Sequence, residues 1–118
     1  MNFTPVIIES ISNHIFNFKN FLNKNDTIIW RNCDNIKIKI NSKVNKMIFE
    51  NCSNIKICMS DAIIGVEFIK CSNIVFKVRK NKKINCFESF LSSIQLNIYK
   101  KNKDSITFLT EKSNLIFK

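Results

Sequence analysis

The phrase Asn32-Cys33-Asp34-Asn35-Ile36 returns as Asn51-Cys52-Ser53-Asn54-Ile55 and as Lys70-Cys71-Ser72-Asn73-Ile74. The three cysteines are 19 residues apart at each step. Each phrase opens a run in which apolar residues alternate with other residues. A fixed period of about twenty residues is typical of stacked structural units, so this repeat decides the fold.

The repeat extends beyond its three clear copies. Looser copies begin at Ser12-Asn13, Ser92-Ser93 and Ser113-Asn114. The Asn or Ser before each strand then falls at positions 13, 35, 54, 73, 93 and 114, with steps of 22, 19, 19, 20 and 21. About six coils thus account for nearly all of the 118 residues, and we predict one domain over residues 1–118.

Each coil carries a second alternating run just before the phrase. Its apolar pairs are Ile28 with Trp30, Met47 with Phe49, Val66 with Phe68, and Ile106 with Phe108, with Asn85 and Phe87 in the same register. Alternation marks strands with one buried face. Two short strands per coil predict an all-β fold, a parallel β-helix or solenoid, and the crossover rule makes it right-handed.

Stacking of the coils predicts three inward columns of side chains. The columns are aromatic (Trp30, Phe49, Phe68, Phe87, Phe108), aliphatic (Ile36, Ile55, Ile74, Ile94, Leu115) and thiol (Cys33, Cys52, Cys71). Asn is expected at the corners because it tolerates a left-handed backbone. Leucine-rich and helical repeats fit poorly because the apolar period is two. Residues 1–25 are ambiguous, and residues 11–22 could form a short helix.

The formal net charge is +10, from 19 Lys and Arg against nine Asp and Glu. Much of it falls on outward positions of the second strand of each coil. Such a surface suits nucleic acid, an anionic membrane or an acidic protein, or it is simply a solvated face. Nucleic acid is the weakest of these because the Phe residues fall on inward columns. We expect neither nucleic acid nor membrane as a partner.

Catalytic and metal-binding patterns are sparse. His14 is the single histidine and Gly65 the single glycine, which disfavours a triad and a phosphate-binding glycine loop. Cysteines that are 19 residues apart and have apolar neighbours are more typical of core residues than of zinc ligands. Glu50 and Glu88 are expected in one outward column, with Glu67 beside it. A carboxylate-pair enzyme would need longer coils and a cleft, so we expect no enzyme and no cofactor.

The cysteine count bears on the compartment. Five cysteines, an odd number, indicate free thiols in a reducing environment. The N-terminus lacks the pattern of a signal peptide, and no apolar run approaches membrane-spanning length. We expect a cytoplasmic protein.

Several stretches resemble one known family. VNKMIFENC (residues 44–52), SDAIIGVEFI (60–69) and CSNIVFKV (71–78) resemble, in order and spacing, the C-terminal domain of cyclase-associated protein. The family has an Asn-Ser-Ile-hydrophobic-x-Asn-Cys stretch, an Asp-x-Val-x-Gly-x-Val-Glu-hydrophobic-Ile stretch and a Val-x-Val-x-Val strand. Residues 106–117 resemble its closing segment. The family fold is a right-handed parallel β-helix, as the period also predicts.

The resemblance implies binding of monomeric actin, with regulation of its nucleotide exchange and of filament turnover. The 118 residues contain no counterpart of the family's N-terminal helical domain, proline-rich segment or Wasp-homology module, so regulation of adenylyl cyclase is not expected. On the same fold, tubulin-folding cofactor C activates a small GTPase through an arginine finger. Arg31 and Arg79 are the two arginines here, and neither is in a Gln-x-Arg setting. GTPase activation and a non-actin scaffold are the alternatives.

A solenoid has flat faces, so a binding site should combine outward residues from several coils. The expected actin-binding residues are Lys37, Lys39, Lys56, Lys77 and Arg79, with Asp61 and Glu67 from the family-like stretch. Two simpler roles remain open, in which Asp61 caps a corner and Glu67 pairs with a lysine.

The last strand of a solenoid leaves an edge of unpaired backbone groups, which proteins seldom expose. Members of the resembled family dimerise through their C-terminal strands. We therefore expect a homodimer, with contacts from Asn114, Leu115, Ile116 and Phe117.

Overall fold

A computed structural model describes residues 5–19 and 26–118. Over these residues the chain forms twelve strands and one short helix. The strands are β1 (Val6–Glu9), β2 (Ser12–Phe18), β3 (Thr27–Arg31), β4 (Asp34–Ile40), β5 (Val44–Glu50), β6 (Ser53–Met59), β7 (Ala62–Ile69), β8 (Ser72–Val78), β9 (Ile84–Phe90), β10 (Ser93–Asn97), β11 (Thr107–Glu111) and β12 (Asn114–Phe117). The helix α1 (Lys100–Lys103) lies between β10 and β11.

The strands alternate between two parallel sheets. Odd-numbered strands form the first sheet in the order β1-β3-β5-β7-β9-β11, and even-numbered strands form the second in the order β12-β10-β8-β6-β4-β2. Each pair of consecutive strands adds one coil to the stack. The predicted all-β parallel solenoid with two strands per coil is confirmed.

The core lies between the two sheets and consists of the inward residues of both. In the second sheet the aliphatic column runs in direct register from Ile36 through Ile55, Ile74 and Ile94 to Leu115. In the first sheet the ring of Phe49 stacks on those of Trp30 and Phe68, with centroids 5.8 and 4.8 Å apart. Burial of these columns is the main stabilising contribution of the fold.

The predicted aromatic column is interrupted at its fourth member. Phe87 is in register with Val66, and Ser89 is the residue that pairs with Phe68. The cause is residues 79–83, a connection longer than the one between β6 and β7, which shifts the following strand along the sheet. The rings of Phe68 and Phe87 still touch diagonally at 5.5 Å, and Phe108 continues the contact at 5.6 Å. Placing Phe68 and Phe87 in one register was therefore wrong, although their packing is continuous.

The corners between the first and second sheets use left-handed backbone, as the Asn content predicts. Earlier coils place two such residues at each corner, and the last two place one, at Leu91 and Lys112. The paired positions are Ser10 and Asn13, Asn32 and Asn35, Asn51 and Asn54, and Lys70 and Asn73. Side-chain amides also bond between coils, as from Asn51 to Asn32 at 2.8 Å and from Asn35 to Asn13 at 2.7 Å. Asn therefore tolerates the left-handed backbone of the corner, and its side chain also forms hydrogen bonds between successive coils.

The thiol column has a polar function that the spacing did not predict. The Cys52 thiol donates to the carbonyls of Glu50 at 3.4 Å and Trp30 at 3.5 Å, and Cys71 does the same to Ile69 and Phe49. In the next coils the hydroxyls of Ser92 and Ser113 donate to the carbonyl two residues earlier, at 2.9 and 3.1 Å. The column is therefore a row of small donors that satisfies corner carbonyls.

The described part of the N-terminal region is strand. β1 pairs with β3, and β2 pairs with β4, with Phe16 in register with Ile38. The helix considered for residues 11–22 is thus wrong over β2, where alternation aligns side chains with the next coil. Residues 20–22 lie outside the described residues. His14 is in register with Ile36 but is exposed.

Replacing Leu91 by asparagine is expected to stabilise the protein by about 0.5–1 kcal/mol, because a left-handed conformation costs roughly 1–2 kcal/mol in a residue such as leucine and less in asparagine. Leu91 has φ of 51° and is 42% exposed, so little packing is lost. The reverse change at the equivalent corner, Asn51→Leu, should destabilise. Urea unfolding of both variants checks this, and a destabilised Leu91→Asn variant would contradict it.

Candidate protein-binding face

The outer side of the second sheet carries a lysine face, defined here as Lys37, Lys39, Lys56 and Lys77. All four are exposed and alternate along β4, β6 and β8 with buried residues of the core. Lys37 is in register with Lys56, and Lys39 and Lys77 flank Cys58 in the neighbouring row. The parallel stacking thus brings four ammonium groups from three coils onto one surface.

Between these lysines lies a shallow apolar groove. It has a volume of about 400 Å³ and includes Ile15, Cys58 and Val75. Ile15 is in register with Lys37 and is 71% exposed. The long methylene stems of lysine add further apolar surface beneath their charged ends. The face therefore combines positive charge with contact area that a protein partner could bury.

The outer side of the first sheet is electrostatically different. Arg31 Nε lies 2.8 Å from Glu50 Oε2, and Lys46 Nζ lies 3.1 Å from Glu67 Oε2 and 3.6 Å from Glu88 Oε1. Partial burial opposes the charge of Lys46, but the two carboxylates raise the pKa of its ammonium above the ordinary value. These charges are largely neutralised within the sheet.

The prediction that Glu50 and Glu88 share one outward column was wrong. Glu67 and Glu88 share one column, and Glu50 lies in the neighbouring one beside Ile69. The bulge in β7 and the longer connection before β9 change the register that sequence spacing implies. Both glutamates of the shared column contact Lys46, so they form a salt-bridged cluster.

Two of the three remaining predicted site residues, Asp61 and Glu67, lie away from the lysine face. Glu67 is on the first sheet, paired with Lys46. Asp61 is in the connection between β6 and β7, where its Oδ1 accepts a hydrogen bond from the Lys83 amide at 2.7 Å. Arg79 directly follows the last residue of β8 and comes two positions after Lys77 of the lysine face. The structure thus groups the four lysines and separates Asp61 and Glu67 from them.

The pKa values of the three thiols in the column shift in different directions. Burial raises the pKa of Cys33, and the hydrogen bond with Cys71 together with burial raises the pKa of Cys52, whereas the same hydrogen bond lowers the pKa of Cys71. Neutral thiols can donate to the corner carbonyls, which thiolates could not. Among the described residues, no three His, Cys, Asp or Glu side chains are grouped as metal ligands.

The C-terminal end of the stack is an open edge. β12 pairs with β10 on one side, and no described strand pairs with its other side. Ile116 and Phe117 are 50% and 42% exposed. Lys103 Nζ lies over the Phe117 ring, 4.0 Å from its centroid, in a cation–π contact. The edge therefore presents apolar side chains together with unpaired backbone groups.

Of residues 5–19 and 26–118, no helical segment has the length and apolarity needed to cross a bilayer.

Comparison with known proteins agrees with this architecture. The fold matches the crystal structure of cyclase-associated protein from Cryptosporidium parvum with a TM-score of 0.70 and 19% sequence identity. The match covers 96% of this chain and 63% of that chain, so this chain spans less than two thirds of that protein's length. No curated protein matches the sequence.

The sequence itself is diagnostic of a family. Residues 7–116 match the profile described as adenylate cyclase associated (CAP) C terminal. The match runs from β1 to β12 and so includes every described coil. This chain therefore belongs to the family of C-terminal domains of cyclase-associated proteins.

Proposed function

We propose that this chain binds monomeric actin through the lysine face and regulates its nucleotide exchange and turnover in the cytoplasm. The family is a non-enzymatic binding domain known generally for actin-binding regulation of the cytoskeleton. The observation that carries the proposal is the contrast between the two outer surfaces. Ion pairs between described residues lie on the first sheet, and none reaches the lysine face.

Actin is acidic, so an uncompensated positive face is complementary to it. Such complementarity raises the association rate and weakens as salt screens the charges. The apolar groove beside Ile15 and Val75 adds area that can be desolvated on contact. Charge then orients the encounter, and the groove contributes to the lifetime of the complex.

Reversing Lys56 and Lys77 to glutamate is expected to weaken actin binding by about tenfold or more, because two attractive charges become repulsive. Both side chains are exposed, so the fold should be retained. The assay is release of a fluorescent ATP analogue from monomeric actin loaded with it, with and without the protein. The difference between variants should shrink as the salt concentration rises.

A matched control reverses Lys70 and Lys112, which are exposed corner residues outside the lysine face. It makes the same change in net charge and should leave actin binding nearly unaltered. If both variants lose binding equally, net charge rather than the lysine face is responsible. If the unmodified protein neither changes the exchange rate nor binds actin, the proposed function is wrong.

We also propose that the protein forms a homodimer through β12. The support is its unpaired side together with the exposed side chains of Ile116 and Phe117. Addition of a strand from a second copy would satisfy the free backbone groups.

Light scattering at micromolar concentration should return twice the monomer mass of 13.8 kDa. Removal of residues 113–118 should return the monomer mass. A monomer for the full chain would contradict the proposal, as would a dimer that survives the deletion.

A further inference from the structure

Two connections at the ends of the second-sheet strands concentrate positive charge. The first, residues 79–83, joins β8 to β9, and the second contains α1 and joins β10 to β11. They are in contact, because Asn102 Nδ2 donates to the Arg79 carbonyl at 3.2 Å. We call their free cations the basic corner, which consists of Arg79, Lys80, Lys82, Lys83, Lys100 and Lys101.

The two connections contain seven cations and one carboxylate, Asp104 at the end of α1. No ion pair between described residues includes any of its six cations. Asp61, in the adjoining coil, accepts a hydrogen bond from the Lys83 backbone amide. Lys103 is left out of the basic corner because it lies over the Phe117 ring. The six cations therefore repel one another until an anion binds.

A cavity adjoins the basic corner. Its volume is about 380 Å³, and it is lined by Lys77, Asn97, Ile98, Tyr99 and Lys118. None of the six cations lines the cavity itself, but Lys77 precedes Arg79 by two residues and Tyr99 directly precedes Lys100, so the cavity lies beside the start of both connections. None of the lining side chains is a carboxylate.

The polar side chains of the cavity are suited to donate hydrogen bonds. Asn97 Oδ1 accepts from Gln95 Nε2 at 3.2 Å, which leaves the Asn97 amide hydrogens for a ligand. Lysine ammonium groups have donors alone, and a tyrosine hydroxyl can donate. The site is therefore matched to a ligand with many acceptor oxygens.

We propose that the basic corner and its cavity bind a compact ligand that carries several phosphate groups. Such a ligand places several negative charges and many acceptors within a small volume, as the clustered cations require. The arginine fork can contact two phosphate oxygens at once, and lysines act as point charges around it. A row of protein carboxylates is more widely spaced and would leave part of the corner uncompensated. This site shares Lys77 with the lysine face, but the proposal does not depend on actin binding.

The test uses the full chain and two probes with clustered phosphate groups, one free in solution and one on a lipid surface. Inositol hexakisphosphate is titrated by calorimetry, and sedimentation measures binding to phosphatidylcholine vesicles containing phosphatidylinositol bisphosphate. Vesicles with phosphatidylserine at equal surface charge control for general attraction. The variant Lys82→Gln with Lys100→Gln should weaken binding by at least about tenfold, since each removes a charge-assisted contact.

The matched control, Lys70→Gln with Lys112→Gln, removes the same charge at the corners on the other side of the stack. It should change the affinity by less than about twofold, because exposed charges beyond the screening length contribute little. Binding of the free probe that depends on the corner supports a soluble source, and corner-dependent binding of the phosphoinositide vesicles alone supports a lipid source. No binding of either probe, equal binding to phosphatidylserine, or equal losses in both variants would overturn the proposal.

Discussion

Replacing Phe68 by alanine is expected to lower the free energy of unfolding by about 3–5 kcal/mol, the usual cost of truncating a buried aromatic side chain. Phe68 has no exposed surface. Its ring stacks on Phe49 and also touches Phe76 at 5.7 Å and Phe87 at 5.5 Å. The cavity would open where the aromatic contacts of the central coils meet, between the two sheets.

The measurement is urea unfolding followed by circular dichroism, with the midpoint and slope fitted for each variant. Phe90→Ala is the matched control, because Phe90 is 37% exposed on the outer side of the first sheet and should cost less. Equal losses for the two variants would mean that burial does not decide the contribution. A loss below about 1 kcal/mol for Phe68→Ala would mean that the core collapses around the missing ring.

The sequence alone predicts the solenoid because the same information is repeated in every coil. The spacing of Cys33, Cys52 and Cys71 sets the period, and the alternation around Ile36 and Ile55 sets the buried side. Because six coils repeat one pattern, an irregularity in a single coil does not obscure the fold. The lysine face followed directly, since a residue beside an inward isoleucine must point outward.

Predictions failed where a coil departs from the period. Phe87 was assigned to the register of Phe68, but the longer connection at residues 79–83 moved it beside Val66. The same shift places Glu88 in register with Glu67, and both contact Lys46. Ion-pair partners in a solenoid are set by register between coils, which a single insertion changes. The sequence shows the insertion but not how the next strand absorbs it.

The serine continuation of the thiol column was missed for a chemical reason. Cys52 and Cys71 were interpreted as small apolar residues, so Ser92 and Ser113 did not look equivalent to them. Their common property is a donor that reaches the carbonyl two residues earlier. A pattern of Cys and Ser at one corner position, with Asn or another left-handed residue just before it, is the signal that would have identified the column.

Replacing Gly65 by alanine is the second substitution expected to have a large effect, a loss of about 3 kcal/mol or more, because it combines backbone strain with a steric clash. Gly65 has φ of 149°, which residues with a side chain rarely adopt. A Cβ at this position would overlap the carbonyl oxygen of Cys86 in the next coil. Gly65 also lies at the register shift of β7, where one extra residue is absorbed between Ala62 and Gly65.

Asparagine should not rescue this position, and that distinguishes Gly65 from the corners. The left-handed corner residues between the two sheets have φ of 50–59°, where asparagine is tolerated, whereas the φ of Gly65 lies far outside that region. Gly65→Asn should therefore be at least as damaging as Gly65→Ala, while Leu91→Asn stabilises. The control Ile64→Ala changes the adjacent residue, which is 48% exposed, and should cost less than about 1 kcal/mol. Urea unfolding of the four variants measures these differences. A Gly65→Ala variant as stable as Ile64→Ala would show that the bulge relaxes to accept a side chain, because the Cys86 carbonyl could then move away.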